Sequence, residues 1–209
     1  VVATVSQRSN RSNLIEGTLR CLERLPPERI TARVIADESG ANLASITYHF
    51  GSKDALLTAA VVEGLDRWLA DIAHDLGDLS SEPRAIRFGR AAEVMAASRR
   101  LHTGLAKNFV GALAKAQHDP VIRNLLAEGF RRSRPDVAAL LGLGGDQAGE
   151  DAAGLVLALF DGLLFQALLD PGLAVDGERM TRAQVRLRGV LPGHVDPASA
   201  RSGPDTRRP

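Results

Sequence analysis

The chain has one cysteine, one tryptophan and one tyrosine, and aromatics make up only 4% of its 209 residues. The lone Cys21 excludes an intrachain disulfide framework and a cysteine-based metal site, and fits a reducing compartment. With so few rings, the core must be built mainly from Leu, Ala and Val, and the Ala and Leu favour helices. An excess of charge is missing too: 26 basic and 25 acidic residues leave a formal net charge of +1. That argues against a uniformly basic protein but not against a basic face. The N-terminus carries no apolar run with a cleavage site, so the expected compartment is the cytoplasm. Only residues 152–169 approach the length of a membrane span. Asp161 and Gln166 interrupt them, and a charge at mid-bilayer costs about 2.5–3.5 kcal/mol, so the expectation is a helix buried in protein and no membrane partner.

Chemistry is equally sparse. There is no nucleophile–base arrangement, no phosphate-binding glycine loop and no string of metal ligands. Gly142–Gly145 is glycine-rich but follows a helix rather than a strand. Asp71, His74 and Asp75 share one helix face at metal-like spacing, which reads as a solvated face. No cofactor, no metal and no enzyme activity are expected. There is also no internal repeat and no convincing strand.

Helical periodicity, by contrast, runs almost throughout. Residues 1–9 read as a flexible arm, in which Arg8, with Arg11 just beyond it, is placed to reach a polyanion. A first helix over about Asn10–Arg24 carries Leu14, Ile15, Leu19 and Leu22 on one stripe and ends at Pro26-Pro27. A second starts at Thr31, a natural N-cap, and ends near Ser39. A third covers about Leu43–Phe50 behind the N-cap Asn42. Gly51 then supplies a left-handed exit, and Ser52 caps a long fourth helix from Lys53 to about Leu76. Further helices are expected over about Arg84–Ser98, Leu101–Gln117, Asp119–Leu141, Asp151–Leu169 and Glu178–Val190, with Pro135 kinking or splitting the seventh. That makes about nine helices and an all-α fold. From Pro192 onward the chain is Pro, Gly, Ser and Arg and reads as disordered. The expected division is 1–52 as a head, 53–191 as a larger helical domain and 192–209 as a tail.

The most informative stretch is residues 30–54. Ala36 is small enough for two helices to approach, Gly40 takes the positive φ of a tight interhelical turn, and Ile46 anchors the second helix on the first. This is helix-turn-helix grammar, whose second helix enters a DNA major groove. The N-terminal half of that helix would face the groove floor with Asn42, Leu43, Ala44, Ser45 and Thr47. Leu43 and Ala44 suit thymine methyls, and Ser45 and Thr47 can hydrogen-bond. Lys53, at a helix N-terminus, and Thr31 are placed for phosphate.

Residues 30–57, with Ile-Thr-x-Arg-x-Ile-Ala, Ser-Gly-Ala, Ser-Ile-x-Tyr-His-Phe and Gly-Ser-Lys-Asp-Ala-Leu-Leu, resemble a TetR-type transcriptional regulator. Phe160-Asp161-Gly162-Leu163-Leu164-Phe165-Gln166 is similar to the penultimate helix of many members. The chain departs from the pattern at Thr47, Leu43 and Val34, and in Leu25-Pro26-Pro27, where a Gly-aromatic bend is usual. The resemblance implies that Tyr48 and His49 grip phosphates and that Arg33 reaches a base. Read from its own surroundings, Arg33 is as well explained as a solvated residue or as the partner of Asp37.

The apolar eighth helix must be covered all round, which points to a second copy of the chain across a two-fold axis. Leu157, Asp161, Leu164, Phe165 and Leu168 are the candidates for that interface. The family implies a small-molecule pocket among helices 4–8. Trp68, Phe88, Met95, His102, Phe109, Phe130, Phe160 and Phe165 are candidates to line it, though each also reads as plain core. Arg87, Asn108, His118 and Gln166 are further polar candidates. The expectation is therefore a homodimeric repressor that binds a near-palindromic double-stranded DNA operator and is released by a small-molecule effector. An activator, a ligand-independent regulator and a helical protein-interaction adaptor remain alternatives.

Overall fold

The computed structural model describes residues 2–77 and 81–187, with residues 2–9 described by their backbone alone. The described residues hold α1 (Val2–Arg24), α2 (Ala32–Ser39), α3 (Leu43–Phe50), α4 (Lys53–Leu76), α5 (Arg84–Ser98), α6 (Thr103–Lys115), α7 (Pro120–Leu141), α8 (Gln147–Leu169) and α9 (Gly177–Leu187). Short 3-10 turns follow α1 and α8, and no strand occurs among the described residues.

Caps set the boundaries. The Thr31 side chain accepts from the Val34 amide at 3.2 Å, Asn42 from Ala44 at 3.0 Å and Ser52 from Ala55 at 3.0 Å. Each such cap is worth about 1 kcal/mol, so three in a row fix where the short helices begin. Gly40 ends α2 at φ 64°, the left-handed turn between α2 and α3.

Three expectations are corrected. The backbone of residues 2–9 continues α1 rather than forming an arm; no glycine or proline occurs before Gly17 to stop a helix. The Arg8 side chain lies outside the described residues. Of the two outcomes expected at Pro135, the split does not occur: α7 runs through it, although the proline removes one intrahelical amide hydrogen. Val137, Ala138 and Leu141 are buried just beyond it and hold the helix to the core. Finally, α8 begins at Gln147, where the Asp146 side chain accepts from the Gly149 amide at 3.0 Å. The expected end of the ninth helix and the tail lie outside the described residues.

Residues up to Ala174 form one compact unit. Its axis is α4, which packs on α1 and α3 at one end and on α5, α6 and α7 along its length. Leu14, Ile35 and Ile46 close the head over Leu56 of α4, while Trp68, Phe109, Leu126 and Leu164 continue the core. A second unit begins at Val175 and contains α9, in which Arg182 donates to Glu178 at 3.0 Å.

Candidate nucleic-acid interface and internal cavity

The head presents α3 by burying one of its faces and exposing the other. Ile46 is 3% exposed, whereas Tyr48 is 70% and Leu43 48% exposed. Burying an isoleucine of this kind contributes about 1.5–3 kcal/mol, so Ile46 fixes the rotation of the helix. Asn42, Ala44, Thr47, Thr31 and Arg33 are exposed, and Ser45 and His49 are half-buried. The sequence-identified groups therefore reach the surface together, along α3 and the start of α2. The Tyr48 and His49 rings meet edge-on at 4.9 Å. Arg33 makes no ion pair with Asp37 among the described residues. Lys53 is half-buried, with its Nζ 3.4 Å from the Ile30 carbonyl oxygen and 3.7 Å from Asp54.

Behind this surface the head is braced. Arg20 donates through Nε to the Glu38 carboxylate and through Nη2 to its carbonyl, each at 2.7 Å, and Arg24 pairs with the same carboxylate. These bonds, Arg20's first, hold the Glu38 carboxyl below its ordinary value. Glu38 lies on α2 and both arginines on α1, so the pairs fasten the helix-turn-helix to its support. The Arg11 guanidinium sits 5.1 Å over the Phe50 ring, which engages it at the end of α3. Arg67 of α4 pairs with Glu16 of α1 and with Glu63, tying the head to the long helix.

A cavity of about 100 Å³ opens among α4 to α8. Trp68, Phe109, Phe130 and Phe160 supply rings, Met95 a thioether, and Leu and Ile side chains most of the rest. Three polar side chains reach it: Asp66, Ser133 and Asp161. Asp66 is paired with Arg132, and Ser133 donates to the Phe130 carbonyl at 3.2 Å. Asp161 has no hydrogen bond or ion pair among the described residues, and burial pushes its carboxyl up to about 6. An apolar hollow with few polar groups is the ordinary form of a small-molecule site.

Other pocket candidates stand elsewhere. Phe88 stacks on Phe160 at 5.5 Å from behind, and Phe165 packs against Phe109 at 5.9 Å. His102 stacks on Trp68 outside the cavity. Asn108 is turned onto the Gly104 carbonyl at 2.9 Å and Arg87 onto that of Glu82 at 2.9 Å. Gln166 is exposed and His118 lies outside the lining. The described residues contain no metal-ligand cluster, and Asp71, His74 and Asp75 are exposed.

The residues expected at a dimer interface face the other way. Leu157, Asp161 and Leu164 line the cavity, and Phe165 and Leu168 pack on the core. The uncovered face of α8 instead carries Leu155 at 75%, Leu159 at 43% and Leu169 at 83% exposure, with Ala158 between them. Because apolar residues surround α8, periodicity could not say which face meets its own chain. By length and composition α8 is apolar enough to cross a membrane, and one side of it packs on α6 and α7. Asp161, Asp66 and Ser133 were missed as cavity groups. The spacing Leu157, Phe160, Asp161, Leu164 is that of one helical face and was the only available signal.

Two family models match the chain. Residues 14–60 match bacterial regulatory proteins of the tetR family, and residues 87–188 match the C-terminal domain of BetI-type transcriptional repressors. The HTH-type transcriptional regulator BetI of Burkholderia thailandensis is 29% identical over 168 residues, covering 78% of this chain and 83% of the relative. A regulator structure from Pseudomonas aeruginosa superposes with a TM-score of 0.61 at 22% identity, over 86% of this chain and 89% of that one. Another, from Saccharomonospora viridis in complex with choline, gives 0.56 at 21% identity, over 86% and 95%. These likenesses share the helical fold with an N-terminal helix-turn-helix, and the named relatives are regulators of transcription rather than enzymes. The chain belongs to the tetR family of transcriptional regulators and is similar to its BetI-type repressors.

Proposed function

We propose that the chain is a homodimeric repressor whose paired heads bind a near-palindromic DNA operator and are released by a small organic cation. In this reading residues 1–52 are the DNA-binding head and 53–191 the effector and dimerisation domain, acting in the cytoplasm. The carrying observation is that α3 offers an outward polar and aromatic face while the same compact unit encloses a ring-lined cavity with one uncompensated carboxylate.

On DNA, Ser45 and Thr47 hydrogen-bond and Leu43 and Ala44 meet methyl groups, while Tyr48, His49, Lys53 and Thr31 position the head on phosphates. Arg33 is the candidate for a guanine. A single head makes few contacts, so two copies are needed, and the uncovered face of α8 supports pairing through Leu155, Leu159 and Leu169.

Cavity chemistry favours a cation. A cation against an aromatic face gains about 0.5–2 kcal/mol, more as it is desolvated, and Asp161 supplies the opposite charge. A neutral guest would leave that half-buried carboxylate uncompensated. Choline, held by the Saccharomonospora viridis neighbour, belongs to this class.

The test uses the full chain and labelled DNA from upstream of its own gene. Choline should weaken the complex, and its uncharged isostere 3,3-dimethylbutanol should be at least about tenfold less potent. Equal potency would remove the cation from the proposal.

A further inference from the structure

Trp68 is the chain's only tryptophan and sits on α4 with two different neighbourhoods. It lines the effector cavity, and it also lines a second hollow bounded by Leu19, Leu22 and Glu23 of α1 and by His102, Gly104 and Leu105 at the start of α6. On that far side its ring stacks on His102, with centroids 4.6 Å apart and planes 27° from parallel. Its indole N–H donates to Ser98 Oγ at 2.8 Å, and Ser98 in turn donates to the Val94 carbonyl at 2.9 Å. The indole is thus a shared wall, held at its edge by α5.

From His102 the contacts continue into the head. The His102 carbonyl accepts from the Ala106 amide at 3.0 Å, so its backbone belongs to the first turn of α6. In that same turn Gly104 lies directly against the Leu22 carbonyl of α1. Arg20 and Arg24 of α1 then grip Glu38 of α2. Burial holds His102 below the ordinary imidazole value, against the opposing pull of Asp71 and Glu23. It therefore stacks as a neutral ring at pH 7.

We infer that Trp68 and His102 form the relay through which an occupied cavity shifts α6 against α1 and so reorients the DNA-binding head. This rests on the proposed effector-released repressor. Closely packed groups switch between arrangements rather than deform continuously, so displacing a rigid indole must move its stacked neighbour. In this relay His102 is a positioning residue: it lies outside the cavity and exchanges nothing with the effector. The competing route is α4 itself, which reaches α1 through Arg67 and Glu16.

The experiment measures three quantities for wild type, His102→Ala and His102→Phe: choline affinity from Trp68 emission, operator affinity without choline, and the factor by which saturating choline weakens operator binding. Wild type should show a factor of about 5–150. His102→Ala should keep both separate affinities within about threefold while its coupling factor falls at least fivefold. His102→Phe, which retains a stacked ring, should restore the coupling. An undiminished factor in His102→Ala would overturn the relay in favour of α4 alone, as would failure of His102→Phe to restore it. A wild type that binds the operator but ignores choline would instead remove the effector reading, and the relay with it.

Discussion

The carbonyl oxygen of Leu22 occupies the place a side chain at Gly104 would need: a Cβ built there would lie 2.1 Å away. Only glycine lets the first turn of α6 rest on α1 this closely. Replacing Gly104 with Ala should lower stability by about 1–3 kcal/mol, because backbone on both sides must move apart. Gly111→Ala, at an exposed site on the same helix with nothing within 4 Å, should instead raise stability by about 0.5–1 kcal/mol. Urea unfolding of the two variants checks the contrast, and equal effects would contradict it.

Asp161 makes two opposite pH dependences. Its carboxyl is raised from 3.8 to about 6 by burial, so between those values the folded chain holds a proton the unfolded chain has released. Stability from this group therefore falls as pH rises through that window and levels off above it. Choline binding goes the other way, because the cation needs the carboxylate. The other carboxylate in the lining, Asp66, is already paired with Arg132. Affinity should be about tenfold tighter at pH 7 than at pH 5. Calorimetry across this range should show both slopes, and Asp161→Asn should flatten them while weakening choline at pH 7.

On the head, Arg33→Ala should cost about 1–3 kcal/mol and relax preference at one operator position. Tyr48→Phe should weaken all sequences to a similar extent, because a phosphate contact fixes position without reading bases. Binding of both variants to a set of single-base operator changes separates the two behaviours.

The uncovered face of α8 predicts the effect of a buried charge. Leu159→Glu should dissociate the dimer, read as a halved mass by light scattering, while choline still binds, because Leu159 does not line the cavity. Leu157→Glu should do the reverse, blocking choline while leaving the assembly intact. Dissociation by the second and not the first would invert the assignment of faces.

Local signals carried the head. Thr31, Gly40, Asn42, Gly51 and Ser52 each act within a few residues of themselves, so capping and turn chemistry were readable along the chain. Ile46 and Tyr48 could be phased because α3 has one apolar and one polar side. The cavity and α8 depended on what lies across the core. Leu157 and Leu159 are alike in sequence context, and only α6 and α7 decide which of them is covered. His102 likewise looked like a pocket group until its place behind Trp68 was visible. The continuity of α7 through Pro135 shows tertiary packing prevailing over a local terminator, whereas residues 2–9 continue α1 because no glycine or proline interrupts them.

The central claim is that α3, carried twice in one dimer, reads a specific duplex. The most direct measurement is competition binding of the full chain to DNA from upstream of its own gene, at physiological salt, against unrelated DNA. The account predicts that the upstream site is preferred by at least about 10³-fold and that its footprint is two-fold symmetric. Binding that is weak, indifferent to sequence and abolished by physiological salt would contradict it.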